Sequence, residues 1–180
     1  MSCYYDEAFM LWESLRAMMS SRAKYALRAA VYLAGQTDRE GWVLASEIAA
    51  ATQVPRKFLE AILVELRDHA IIVSQRGRYG GYRLARRPDE IHAGEVLRIV
   101  DGPLALAPCV SRTQPGTCLD CVDAATCPLR AALLAARDAM ADVLDSRSLA
   151  EMKAEERLGG TAPAADPRPA VVRHGVSAPA

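Results

Sequence analysis

Thr52-Gln53-Val54-Pro55-Arg56-Lys57-Phe58-Leu59-Glu60-Ala61-Ile62-Leu63-Val64-Glu65-Leu66 is the stretch on which the fold turns. A three-residue turn, Thr52-Gln53-Val54, leads into Pro55, which suits the first position of a helix because its missing N–H has no partner there anyway. Beyond it Phe58, Leu59, Ile62, Leu63 and Leu66 recur at helical spacing and predict a buried face running to about His69. Arg56, Lys57 and Glu60 near the start of this helix face outward. Just upstream, Ala45 to Thr52 reads as another short helix, and two short helices joined by a three-residue turn make a helix-turn-helix.

Working outward, Ser20 or Ser21 is the expected N-cap of a first helix whose buried face carries Ala23, Leu27, Ala30, Val31 and Ala34. Downstream, Ile71-Ile72-Val73 and Tyr82-Arg83-Leu84 are short strand-like runs. The segment Ser74 to Gly81 between them reads as a flexible, basic hairpin tip, that is, a wing. Gly80 and Gly81 can let backbone approach a phosphate or a minor groove, and Arg76 and Arg78 supply charge for that contact. A helix near Ala93 to Val100 stops at Asp101-Gly102-Pro103. After a cysteine-rich segment, Leu129, Leu133, Ala136, Met140 and Val143 form a short heptad seam that wants a partner helix, most simply its own symmetry mate. Ser148 to Arg157 adds a last short helix.

The expected fold class is therefore mainly α with a small β-hairpin wing: a winged helix-turn-helix plus a long dimerisation helix. The expected organisation is an N-terminal extension at 1–18, a winged helix-turn-helix at 19–102, a cysteine-rich loop at 103–128, dimerisation and terminal helices at 129–157, and a disordered Ala/Pro-rich tail at 158–180. The Met18-Met19 pair directly before the first helix offers an alternative translation start.

The chain has 180 residues, 51% hydrophobic and 24% charged, enough for one ordinary domain with a small appendage. No apolar run approaches the roughly 20 residues of a membrane span, and Asp6, Glu7 and Glu13 stand where a secretory signal needs positive charge, so a cytoplasmic location is expected. The net charge of zero hides an asymmetry. Residues 56–87 carry eight Lys/Arg against three acidic residues, and residues 103–156 carry five against eight. A basic segment followed by an acidic one suits a polyanion-binding part tied to a part with another task. No Ser/His/Asp set, phosphate-binding glycine loop or convergent carboxylate pair is present, and no enzyme is expected.

Several of these pieces resemble a known family. They are Ser21-Arg22-Ala23-Lys24-Tyr25-Ala26-Leu27-Arg28-Ala29, the Pro55 to Leu66 helix, Gly80-Gly81-Tyr82-Arg83-Leu84-Ala85 and Gly94-Glu95-Val96-Leu97. In that order along the chain they resemble the Rrf2 family of bacterial regulators, which includes the iron-sulfur regulator IscR, the nitric-oxide sensor NsrR and the iron regulator RirA. The resemblance implies a homodimer on a palindromic operator in double-stranded DNA, acting as a repressor, with the second helix of each helix-turn-helix in a major groove and each wing beside a minor groove. Matching positions make Lys57 and Glu60 the groove readers, since glutamate accepts from cytosine N4 and lysine donates to guanine. Arg76 matches a wing arginine that reaches the minor groove, with Arg78 beside it. Arg56, Arg83, Arg86 and Arg87 read as phosphate contacts or solvated charge.

Four of the five cysteines, Cys109, Cys118, Cys121 and Cys127, fall within 19 residues, with eight, two and five residues between them. In a reducing compartment clustered thiols ligate metal or sense redox state more often than they form structural disulfides. Four thiolates complete a [2Fe-2S] or [4Fe-4S] cluster, and they equally complete a tetrahedral zinc site. The resemblance favours iron-sulfur, with Cys109, Cys121 and Cys127 matching the three cysteines of cluster-binding members. Three departures separate this chain from them. Cys118 is an extra cysteine, Arg130 stands where IscR-like members have a histidine ligand, and Lys24 stands where nitric-oxide-sensing members have an acidic one. Cys118 is thus the candidate fourth ligand. The expected function is a regulator sensing redox, nitric oxide or iron status. A zinc-stabilised or disulfide-switched regulator and a zinc-stabilised protein-interaction module are the alternatives. Cys3, His69, His92 and His174 read as residues without a metal role.

Overall fold

Helix formation begins where a side chain can satisfy the first unpaired N–H groups, and Ser20 does so: its Oγ accepts from the Ala23 N–H at 3.0 Å. The structure, a computed structural model, describes residues 19–77, 79–119, 121 and 123–157. The expectations for residues 1–18, Arg78 and residues 158–180, including Cys3 and His174, lie outside the described residues.

Helix α1, Ser21–Ala34, buries Ala23, Ala26, Ala29 and Ala30 completely. Four small residues make a slender helix that neighbours can approach closely from several sides. The other elements accordingly gather around it: α2 (Ala45–Thr52), α3 (Arg56–Asp68), strand β2 (Gly81–Leu84), α4 (Ala93–Asp101) and α6 (Leu149–Arg157). Ser20 also donates from its N–H and hydroxyl to the Asp101 carboxylate, tying the start of α1 to the end of α4.

The turn between α2 and α3 runs through Gln53, whose φ of 56° is left-handed, and then through buried Val54. Pro55 stands one position earlier than expected. It is the N-cap of α3, with extended ψ, and its carbonyl accepts from Phe58 and Leu59. Leu59, Ile62, Leu63 and Leu66 are buried as expected, but Phe58 is 59% exposed. At 3.6 residues per turn Phe58 lies about 90° from the centre of that stripe, so the core cannot reach it.

Strand β1 (Ile72–Gln75) pairs antiparallel with β2, from Ile72 opposite Leu84 to Gln75 opposite Gly81. The strands therefore extend further into the predicted tip than expected, leaving only residues 76–80 as the turn. A further rung forms where Val43 and Tyr82 exchange both backbone hydrogen bonds, at 3.0 and 2.8 Å. The wing is thereby fastened to the segment that leads into α2.

Beyond α4, Gly102 turns the chain with φ 82°, and a 3-10 turn at Pro108–Val110 buries Val110. Helix α5, Arg130–Ser146, follows. The chain then returns to the first core. Leu149 is fully buried there, its N–H donates to the Ile91 carbonyl, and the Ala93 N–H donates to the Arg147 carbonyl. Ser148 and Glu151 cap α6 reciprocally: the Glu151 carboxylate accepts from the Ser148 N–H at 2.9 Å, and the Ser148 Oγ accepts from the Glu151 N–H at 3.2 Å. The result is the expected winged helix-turn-helix with a long additional helix.

Candidate nucleic-acid interface and cysteine site

The outward face of α3 carries Arg56, Lys57, Phe58 and Glu60, all exposed. Arg56 Nε donates to Glu60 Oε1 at 2.7 Å across one helical turn, which holds the glutamate in one orientation. Lys57 has no ion-pair partner among the described residues. This face presents a free cation, an oriented carboxylate and an aromatic ring together. The hydrophobic pattern alone misses the ring because it assigns Phe58 to the core. The signal that finds it is its offset from the Leu59-Ile62-Leu63-Leu66 stripe.

The wing places Arg76 exposed beside Gly77, whose φ of 110° suits glycine at the tip. Gly80 and Gly81 also have a packing role within the chain. A Cβ on Gly80 would stand 2.1 Å from the Gln75 carbonyl oxygen, and one on Gly81 would stand 2.4 Å from that of Val43. The space their missing side chains leave is filled by this chain's own backbone. Arg83 stacks on Trp42 with its guanidinium carbon 4.5 Å from the ring centroid, Arg86 pairs with Glu95, and Arg87 pairs with Asp89. Those three arginines are engaged within the domain.

Cys109, Cys118, Cys121 and Cys127 are all free thiols and all half-buried in the loop between α4 and α5. The thiols influence one another across the loop. The Cys109 thiol is pushed above its ordinary range first by a hydrogen bond with Cys118, then by burial and by the remaining thiols. Burial and then Cys127 raise Cys121 in the same direction, and a hydrogen bond from the Asp123 backbone opposes them. Among the described residues no three His, Cys, Asp or Glu side chains are gathered closely enough to grip a single ion. The donor chemistry still fits a thiolate-ligated centre, because four soft donors lie in one loop. Arg130 is half-buried with no partner for its Nε among the described residues, and Lys24 is exposed on α1.

The loop is fastened to α5 by Arg137, which is 7% exposed. Its guanidinium donates to the Val110 carbonyl, next to Cys109, at 2.8 Å, and pairs with Asp138. Asp138 also takes Arg112 of the loop at 3.0 Å. On the other side, Arg98 of α4 grips Asp145 of α5 with two hydrogen bonds at 2.6 and 2.8 Å. A buried arginine on α5 thus touches the cysteine loop, while α5 itself is tied to α4. Nothing in the sequence pattern marks Arg137.

The seam expected on α5 is open in the single chain. Leu129 is 64% and Val143 59% exposed, Ala136 is exposed, and Leu133 and Met140 are half-buried. Arg137 is the one buried residue of the helix.

The chain matches the family model described as Rrf2, iron-dependent transcriptional regulator, over residues 19–155. It is 37% identical over 139 residues to an rrf2-like HTH-type transcriptional regulator of Rhodobacter capsulatus, covering 76% of this chain and 93% of that protein. It is also 37% identical to the HTH-type transcriptional regulator NsrR of Geobacillus kaustophilus over 134 residues, covering 74% of this chain and 88% of that one. Among solved structures it resembles CymR, the global cysteine regulator of Bacillus subtilis, with a TM-score of 0.61, 30% identity, and coverage of 76% of this chain and 95% of that one.

Proposed function

Since this chain belongs to the Rrf2 family of transcriptional regulators, we propose that it is a dimeric repressor whose DNA affinity is set by an iron-sulfur cluster held by Cys109, Cys118, Cys121 and Cys127. The observation that carries this reading is the thiol loop joined through Arg137 to α5. Bound there, the cluster would supply a redox- or iron-responsive change. Arg137 and Asp138 are placed to pass a shift at Cys109 into α5, and the open seam of Leu129, Leu133, Ala136, Met140 and Val143 meets the same seam of a second copy. Two recognition helices then share one rigid spacing, which a palindromic operator reads.

On DNA, Lys57 donates to guanine and Glu60 accepts from cytosine N4, while Phe58 packs against a thymine methyl group. Arg76 and Arg78 approach the minor groove from the wing. Gly80 and Gly81 hold the wing at the angle this requires.

Anaerobic purification with iron, sulfide and visible-absorption measurements tests the sensor. Brown protein whose colour is lost in Cys118→Ser is the expected result. Colourless protein with stoichiometric zinc overturns it.

One observation favours a second reading. Cys109 shares a hydrogen bond with Cys118, and Cys127 acts on Cys121 more strongly than any other thiol does, which makes these the pairs expected to oxidise together. Under hydrogen peroxide each pair can close one disulfide, two thiols losing two protons and two electrons as one peroxide becomes two waters. Peptide mapping of oxidised, metal-free protein distinguishes this switch by those two linkages.

A further inference from the structure

A cleft of about 300 Å³ opens between the entry to α2 and the root of the wing. Ser46, Arg56, Arg67 and Arg76 line it, and no acidic residue does. Arg56 and Arg67 are eleven residues apart on α3, close to three full turns, so both lean from the same flank toward the wing that carries Arg76. A cleft lined by three arginines and, among the described residues, by no carboxylate favours an anion. Arg56 and Arg67 offset part of that charge through exposed ion pairs to Glu60 and Asp68, and Arg76 has no such pair among the described residues. Exposed pairs of this kind are weak, so an anion held bidentately by a guanidinium displaces them readily. The Ser46 hydroxyl has no hydrogen-bond partner among the described residues and is free to donate.

We infer that this cleft holds a phosphodiester of the DNA backbone, with Arg67 and Ser46 as its ligands beside Arg76. The inference rests on the DNA-binding reading given above. With α3 in a major groove and the wing beside a minor groove, the strand that separates the two grooves runs between them, and the cleft lies in that gap. Arg67 sits at the end of α3 away from Lys57 and Glu60, so it meets phosphate and not base edges.

The test uses the full-length protein with a random-sequence duplex and with an operator selected from randomised duplexes. Arg67→Ala reduces the slope of log affinity against log salt by about 0.9 for each phosphate left unneutralised, hence about 1.8 for a dimer, and leaves the ratio of operator to random affinity unchanged. Arg67→Lys keeps the slope. Ser46→Ala lowers affinity several-fold at unchanged slope, because a neutral donor releases no counterion. Arg67 is exposed, and a thermal melt of each variant confirms that it folds. An unchanged slope in Arg67→Ala, or a weakening confined to the operator, overturns the inference. If inorganic phosphate alone raises the melting temperature of the native protein but not of Arg67→Ala, with DNA slopes equal, the ligand is a free anion and the backbone assignment is wrong. Absence of any salt-dependent DNA binding by the native chain would instead remove the DNA-binding reading itself.

Discussion

The helices around α1 and the segment from Gly102 through α5 use their apolar side chains in opposite ways. In the first, Leu33, Ile48, Leu59, Ile62, Leu63, Leu66, Ile71 and Ile91 close on one another and on Leu149, which returns from beyond α5 to complete the same core. In the second, Leu129 and Val143 stay exposed, the buried residue of α5 is a charged arginine, and four thiols share one loop without a disulfide. One part is finished by its own residues. The other has ties inward, through Arg137, Asp138 and Asp145, and open valences outward. Under the function proposed above, the open part is where a signal would act and the closed part is where DNA would be read.

Four substitutions bear on that contrast. Leu63→Ala removes a fully buried side chain from the closed part and should cost about 2–5 kcal/mol in urea unfolding. A cost near that of an exposed leucine would mean the core is not close-packed there. Val143→Asp leaves that core untouched but places a carboxylate in the seam, so light scattering should find a monomer and operator affinity should fall at least about 100-fold as bivalent binding disappears. A stable dimer with this change would move the interface away from α5. Arg137→Met should cost about 1–3 kcal/mol, because the Val110 carbonyl is left without its donor and Asp138 keeps only Arg112. More tellingly, the difference in operator affinity between iron-loaded and metal-free protein should shrink. A full response would dismiss Arg137 as the link.

The smallest effect concerns the tie between α4 and α5. The Arg98 guanidinium holds the Asp145 carboxyl below its ordinary value near 3.8. A carboxyl lowered in the folded state contributes stability above its unfolded value, and that contribution is lost as pH falls through the folded one. With both side chains partly exposed, Asp145→Asn should cost under about 1 kcal/mol at pH 7, and the gap in melting temperature should close as pH falls through the lowered value of the folded carboxyl. A gap that persists in acid would assign the cost to packing against Gly94.

The helix-turn-helix is legible in the sequence because its signals are local: α2 runs over the expected Ala45–Thr52, and α4 and α6 end within a residue of their expected limits. Phe58 misleads when hydrophobicity is weighed above angle, although the four true core positions of α3 already define the stripe. The glycine pair stands out, yet the neighbour of Gly81, Val43, is almost forty residues away in the chain, so the reason for the pair is invisible there. The same holds for Ser46, Arg67 and Arg76, which only the folded wing brings to one cleft. The cysteines are legible as a set, but their pairing depends on how a proline-punctuated loop turns, and no periodicity encodes that.

Gly80 and Gly81 have one more consequence. Gly80 lets the wing close tightly on its own Gln75 backbone, and Gly81 lets it abut Val43, so the base of the wing is joined to the segment that leads into α2. In the dimer proposed above, two such wings act like callipers, and a chemical event at the cysteines would reach DNA as a change in the distance between them.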